Sequence, residues 1–595
     1  MKRLAILMVL IAPICHAAEN VGSSSYQIAF ASFAPLNTDV FIADGDGKNA
    51  KPLFADPDLD SNASFSSDGR WILFTSRRHG SSDIYRGNSD GTHLEALVDD
   101  PAFDDQASLS ADGRYLAFVS TRSGQADIWI LNIATKSLRN LTNHAGGDFR
   151  PAWSPDGKWL AFSSDRDSLQ PRLPNDFVTR QSTEIYVVKS DGSHLRRITH
   201  QQQFAGGASW SPDGKRLVFY IASLPESINI TGARRMRGTT QIVSIDLNTD
   251  EQVELTSGPG EKWSPRWLSM DRVGYVSGGP EGGVEMSGGE SGARGEFQSP
   301  SWSANGKFMI FHREVNHDWP PYRPSHTRDP KFGLIRTGIF GSYSPTGERM
   351  VSDDQTAGIL HNSILIMNSD GSRRSVLYSV LDKSALAPSW SPDGSRIAFS
   401  LGQFFQQIKG AALADIAVIA ADGTGLRVLT DGKANYGFPG WSGDGRHVVY
   451  RESASGKSSL KILEVDSGES HDLISGSAHY NFPTWSPSRD LIAFTADIDG
   501  DYEIYTIKPD GTQLTRLTRS PGNDAHSSWS RDGEWIAFTS VRGGFKDEAV
   551  LHIGNPQPTG EICVMRADGS DIRVLTDDQY EDGTPTWVSS VSQDR

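Results

Sequence analysis

Between residues 312 and 328 the chain gathers His312, Arg313, His317, Asp318, Trp319, Tyr322, Arg323, His326 and Arg328. These residue types can act on a uronic-acid polymer. A histidine or tyrosine takes the proton beside a carboxylate, and an arginine neutralises that carboxylate. On a polysaccharide-lyase reading, His317, Tyr322, Arg323 and His326 would carry the elimination, although their spacing matches no catalytic motif. On a binding reading, His312, Arg313 and Trp319 join Arg172, Arg180, Arg234, Arg235 and Arg237 in a basic, aromatic surface. Such a surface suits an anionic glycan or an acidic protein segment. The plainer alternative is that these arginines pair with nearby carboxylates and pin their own loops.

A second set is acidic. Asp105, Asp148, His479, Asp524 and Asp582 sit just ahead of recurring aromatic segments. If they line the mouth of a channel, they could hold Ca²⁺, which takes about 6–8 oxygen ligands. Hydrogen bonding to channel water is the simpler expectation. No other cofactor or metal is implied, because no phosphate loop, metal-ligand spacing or nucleophile elbow is present.

The elements that must position these residues come from an internal repeat. Pro151-Ala152-Trp153-Ser154-Pro155-Asp156-Gly157 recurs around Trp210, Trp390 and Trp485, and more weakly around Phe65, Leu109, Trp267, Trp302, Tyr343, Trp441 and Trp529. Phe65, Leu109 and Trp153 are 44 residues apart, as are Trp441, Trp485 and Trp529. A period of that length marks propeller blades. Each unit reads as four strands: one ending at the aromatic residue, a Pro-Asp-Gly turn, an alternating second strand, a third such as 501–507, and a short fourth after Asp-Gly. The tryptophans are expected in the blade cores.

The run Trp-Ser-Pro-Asp-Gly-Lys-x-Leu-Ala-Phe, followed by Glu-Ile-Tyr, Asp-Gly and Leu-Thr, resembles the repeat of the TolB-like β-propeller family, and similar repeats occur in the non-catalytic propellers of prolyl oligopeptidase relatives. The resemblance spans residues 25–587 but not TolB's α/β domain, so it is to the repeat family and not to TolB itself. It implies an all-β fold and a non-catalytic binding or scaffold role towards a protein or glycan. Ser269-Met270-Asp271 and Ser486-Pro487-Ser488-Arg489 depart from the turn motif.

About twelve blades are expected, with two six-bladed rings favoured over one large ring. By unit order the first propeller covers 25–298 and the second 299–583, with 584–595 as closing strand and tail. Tyr26-Gln27-Ile28-Ala29-Phe30 lacks a preceding aromatic strand, and Thr584-Pro585-Thr586-Trp587 lacks a following one. The two ends should therefore pair, which removes two sheet edges. The tight turns all fall on one face of the blades. The long insertions, 165–183, 222–240, 315–337, 401–414 and 541–560, fall on the other, which is the expected binding face.

Met1–Ala17 reads as a signal peptide, with Lys2 and Arg3 ahead of an apolar stretch, and predicts a periplasmic or secreted protein. Cleavage leaves Cys563 alone, so no intramolecular disulfide is expected. No later stretch is long and apolar enough to span a membrane as a helix. With 57 Lys and Arg against 73 Asp and Glu, the formal charge of −16 argues against a nucleic-acid partner.

Overall fold

The Ser-x-Asp-Gly segment builds its own turn. Ser154 Oγ donates to Asp156 Oδ1 (2.6 Å) and accepts the Trp159 amide (3.0 Å), while Asp156 accepts the Lys158 amide. Gly157 supplies the left-handed backbone (φ 68°) that an L side chain resists. The same serine–aspartate pair recurs at Ser66, Ser110, Ser211, Ser391, Ser442 and Ser530. Ser269 keeps the bond to Asp271 without a glycine, whereas Ser486 instead accepts the Arg489 amide.

The computed structural model describes residues 26–35, 37–168, 181–200, 204–222, 239–315, 323–325, 327, 329–337, 340–354, 363–381, 383–403, 413–548, 551 and 559–588, with backbone alone at 323–325 and 354. All its sheets are built from four-stranded blades. One eight-stranded sheet is two blades joined by a single bridge, Ala414 to Asn435, so the blades number twelve.

Strand pairing divides them into two closed rings of six. Ring 1 holds the blades at 60–98, 104–140, 148–197, 204–254 and 262–294. Its sixth blade pairs Gln298–Trp302 and Phe308–Glu314 with Thr38–Asp44 and Lys51–Leu53 from near the N-terminus. Ring 2 holds the blades at 342–378, 384–428, 435–474, 480–516 and 524–574. Its sixth joins the C-terminal Asp582–Val588 to Tyr26–Ser32, followed by Phe332–Thr337 and Arg323–Ser325. The expected pairing of the two ends is therefore present.

The division by unit order is corrected at both borders. Tyr26–Ser32 belongs to ring 2, and Gln298–Trp302 with Phe308–Glu314 belongs to ring 1. The chain starts in ring 2, crosses to complete ring 1, then crosses back. Phe332–Thr337 returns from that second crossing and so pairs parallel to Tyr26–Ser32, where a hairpin would be antiparallel.

Each core lies between neighbouring blades. Indole Nε1 of Trp153, Trp210, Trp441, Trp529 and Trp587 donates to a carbonyl of the preceding blade's first strand, at 2.8–3.2 Å. These tryptophans are structural ties, as expected. Ile28 and Phe332 pack against Trp535 and Ile562, while Ala29 and Ile335 pack against Tyr343 and Met350, which seals ring 2. Val40 and Ile310 pack on Ile72 and Phe74, which seals ring 1. Cys563 is fully buried, and burial pushes its thiol up to about 12, consistent with an inert core residue.

Candidate functional site

The residue three positions before each repeat aromatic is the one that faces the ring axis. In every blade it takes a left-handed backbone, and in eleven of the twelve it sits at a bulge in the first strand; Phe340 lies just ahead of its strand, Ser342–Tyr343. In ring 1 these residues are Asn62, Gln106, Arg150, Gly207, Ser264 and Ser299. In ring 2 they are Phe340, Ala387, Phe438, Phe482, His526 and Thr584. One structural position thus lines one axis with polar groups and the other largely with aromatic ones.

Ring 1's axis is crossed by its own side chains. Arg150 Nη1 reaches Ser299 Oγ (3.3 Å) in the blade opposite, and the Arg150 amide donates to Gln106 Oε1 (2.8 Å). Into this axis projects a loop of ring 2, Val541–Glu548. Phe545 packs with Val119, Ala126 and Phe149 of ring 1. The Lys546 carbonyl accepts from Gln106 Nε2 (3.0 Å). Asp547 takes Arg150 Nε at 2.8 Å and Nη2 at 2.5 Å. Glu548 accepts from Ser163 Oγ (2.5 Å), Tyr220 Oη (2.5 Å) and the Gly207 amide (2.9 Å).

The base of the loop is held by its own ring. Lys546 Nζ pairs with Glu561 and with Asp577 (2.7 Å) and is 1 % exposed. Equivalent glutamates Glu184 and Glu503 instead pair with Arg197 and Arg516, thirteen residues later; after Glu561 that position is Val574. Burial pushes the Glu548 and Glu561 carboxyls up, against the pull of Arg150 and Lys546 respectively. Burial, helped by Arg150, brings Arg266 down to about 10.

The rings also meet around this loop. Arg77 Nη1 contacts Asp578 (2.6 Å), and Thr121 Oγ1 donates to Asp577 (2.7 Å). Asp582, buried beside Asp578, has its carboxyl pushed up to about 7. The insertion side of ring 1 is therefore packed against ring 2 at its axis. Much of the insertions 165–183, 222–240, 315–337, 401–414 and 541–560, the expected binding face, lies outside the described residues.

The opposite, tight-turn side of ring 2 opens into a funnel of about 1690 Å³. Its floor is Phe340, Phe438, Phe482 and His526, with ring centroids 4.5 Å apart for Phe438–Phe482 and 4.0 Å for Phe482–His526. Its walls carry Pro388, Pro439, Pro483 and Pro585, and its rim the turn residues Pro345, Pro392 and Arg531. His526 Nδ1 has no hydrogen-bond partner among the described residues, and burial lowers the imidazole to about 4, so it is neutral at physiological pH. The lining charges are few and hydrogen-bonded to neutral groups: Arg531 donates to the Pro345 carbonyl, and Asp532 accepts from Tyr26 Oη (2.8 Å).

Only some of the residues singled out by sequence fall among the described ones. Arg172, Arg180, Arg234, Arg235, Arg237, His317, Trp319, Tyr322 and His326 lie outside the described residues, and Arg323 is placed by backbone alone, in Arg323–Ser325. His312 is buried, with Nδ1 accepting the Asn62 amide (3.3 Å), and Arg313 stacks on Phe41. The acidic set is divided between the rings and engaged locally. Asp105 accepts from Asn62 and Thr75, Asp148 from Arg166 (2.7 Å) and Asp524 from Arg542 (3.1 Å). His479 bonds Asp497 (2.9 Å). Among the described residues no group of three or more His, Cys, Asp or Glu is arranged to hold a metal ion. Also among them, no helix is long and apolar enough to cross a membrane.

Sequence reasoning did not single out either axial set as a whole. The legible signal was the position three before each aromatic, read down all twelve units.

A family model described as the TolB beta propeller domain matches residues 97–173 and 403–550. No curated protein sequence matches the chain. Among solved structures the chain is similar to TolB from Acinetobacter baumannii, at 12% identity over 82% of each chain with a TM-score of 0.32. It is also similar to a putative TolB from Agrobacterium tumefaciens, at 19% identity over 60% of this chain and 95% of that one, TM-score 0.31. An oligogalacturonate lyase from Vibrio parahaemolyticus is similar at 15% identity over 75% of this chain and 95% of that one, TM-score 0.25. Likenesses this distant carry no argument about function. The matched segments, together with the repeated Trp-Ser-Pro-Asp-Gly unit and the four-stranded blades, are consistent with a TolB-like β-propeller repeat, and not with TolB itself.

Proposed function

We propose that this protein is an exported, non-catalytic binding or scaffold protein whose partner, a protein or glycan segment, enters the funnel of ring 2. The observation that carries this reading is the contrast between the axes: ring 1's is filled by the chain itself, while ring 2's opens into about 1690 Å³ lined by aromatic and proline side chains. The same lining also exposes serine, threonine and backbone polar groups in comparable measure, so it can both stack on a segment and hydrogen-bond to it. The neutral His526 and locally hydrogen-bonded rim charges favour an uncharged, apolar-tipped segment over the anionic ligand first considered. Export rests on the Met1–Ala17 pattern.

The test is titration of purified protein with peptides and oligosaccharides, neutral and acidic, followed by fluorescence of the funnel tryptophans. Saturable change that is lost in a Phe438→Ala/Phe482→Ala variant of unchanged far-ultraviolet spectrum supports the reading. Binding that survives those substitutions overturns the site. New absorbance from unsaturated ends on polyuronates would overturn the non-catalytic assignment in favour of a lyase.

A further inference from the structure

The contacts of Phe545–Glu548 have the form of a ligand in a receptor. Glu548 enters a pocket shaped for its carboxylate: a Cβ on Gly206 would come within 2.5 Å of the Glu548 carboxyl group, and the next residue, Gly207, donates its amide. Further donors converge there from two blades: Ser163 and Tyr220 bond Glu548, and Arg150, which bonds Asp547, lies 3.7 Å from the Glu548 carboxylate. Charge-assisted bonds of this kind set register as well as affinity. The pocket is made wholly by ring 1, and its occupant wholly by ring 2.

The stem of the loop has a joint. Arg542 is fixed to Asp524 and Ser540, but Gly543 and Gly544 follow it. A Cβ on Gly543 would meet nothing closer than 3.9 Å and one on Gly544 nothing within 4 Å. Neither glycine is demanded by close packing; Gly544 serves its positive φ of 65° and Gly543 adds backbone freedom. Buried ion pairs roughly break even against the desolvation they require, so docking of such a tip is reversible in energetic terms.

We propose that the axis of ring 1 is a receptor for an acidic polypeptide tip, and that Phe545–Glu548 is its resident, displaceable ligand. A partner presenting a Phe-x-Asp-Glu segment competes for Arg150, Ser163, Tyr220 and the Gly207 amide by mass action. Exchange of the tip frees the two rings to move about their crossovers. This site is separate from the funnel and does not depend on it.

The probe is a fluorescent peptide, acetyl-Gly-Gly-Phe-Lys-Asp-Glu-amide, followed by anisotropy against three full-length proteins. The Asp547→Ala/Glu548→Ala variant is expected to bind it at least tenfold more tightly than the unmodified protein. Adding Arg150→Met to that variant should abolish the gain, and a peptide with Asn-Gln in place of Asp-Glu should not bind. Equal affinity for unmodified and Asp547→Ala/Glu548→Ala protein, or no binding to the folded variant, overturns the proposal. Should the variant not fold, hydrogen exchange on the unmodified protein decides. The amides of 545–548 and Gly207 should exchange at least tenfold faster than those of Phe118 and Phe162 in the blades. Exchange of both groups together, at the rate of global unfolding, would mark the loop as a permanent strut and sink the idea.

Discussion

The two rings share blade number, turn chemistry and the left-handed position three residues before each aromatic, yet their axes differ in kind. Ring 1 places Asn62, Gln106, Arg150, Ser264 and Ser299 there and is closed by a charged loop. Ring 2 places Phe340, Phe438, Phe482 and His526 there and stays open on its tight-turn side. A buried arginine needs a fixed anion, so a polar axis invites a plug. An aromatic floor needs no such partner and can be left for a visitor. The propeller scaffold is neutral between these outcomes, and six side chains per ring decide them.

The comparison can be broken most strongly at Glu548. Glu548→Leu leaves the Ser163 and Tyr220 hydroxyls and the Gly207 amide without their acceptor and removes a nearby countercharge of Arg266, and should cost about 3 kcal/mol in denaturant unfolding. A cost near zero would mean that ring 1 does not need its plug. In ring 2, Phe438→Ala with Phe482→Ala removes half-buried to buried rings without stranding a charge. The expected cost is about 2 kcal/mol, together with loss of funnel binding; retained binding would erase the functional distinction between the axes.

Acid and base should separate the inter-ring contact from the funnel. Asp582, where the two rings meet, has its carboxyl raised to about 7, so its stabilising contribution is complete below the ordinary carboxylate range and is lost as pH rises through 7. His526, in the funnel floor, is lowered to about 4, so its contribution is complete above the ordinary imidazole value and is lost as pH falls from there towards 4. Melting temperatures taken across pH 4.5–8 should therefore show Asp582→Asn removing part of the alkaline loss and His526→Phe part of the acid loss. The reverse assignment would contradict the burial described.

The smallest effect concerns the bulge itself. Ala387→Gly relieves a left-handed backbone where no hydrogen bond is at stake, and should shift stability by less than about 1 kcal/mol, in the stabilising direction. Gln106→Gly relieves the same conformation but forfeits the bonds to Lys546 and Arg150, and should destabilise by about 1–2 kcal/mol. Equal responses in thermal melts would show that the two axes are held alike.

The repeat alone determined the blades, because Ser-x-Asp-Gly closes its turn with atoms of its own segment and the Trp-Ile-Ala-Phe strands are apolar enough to be buried on both faces between neighbouring blades. The closing pair of chain ends was legible for the same reason: an unmatched first strand and an unmatched second strand complete one hydrogen-bonded ladder. The division into rings was not legible at its borders. Which edge Tyr26–Ser32 or Phe308–Glu314 pairs with depends on where the crossovers deliver them, and no local residue encodes that. The candidate site lay further from view. Arginine clusters and convergent-looking acids stand out in sequence, yet Asp148 and Asp524 each had an arginine eighteen residues on to engage them. Only tertiary structure set Glu548 beside Tyr220, 328 residues away, because burial of one ring's face on the other, rather than any motif, created that contact.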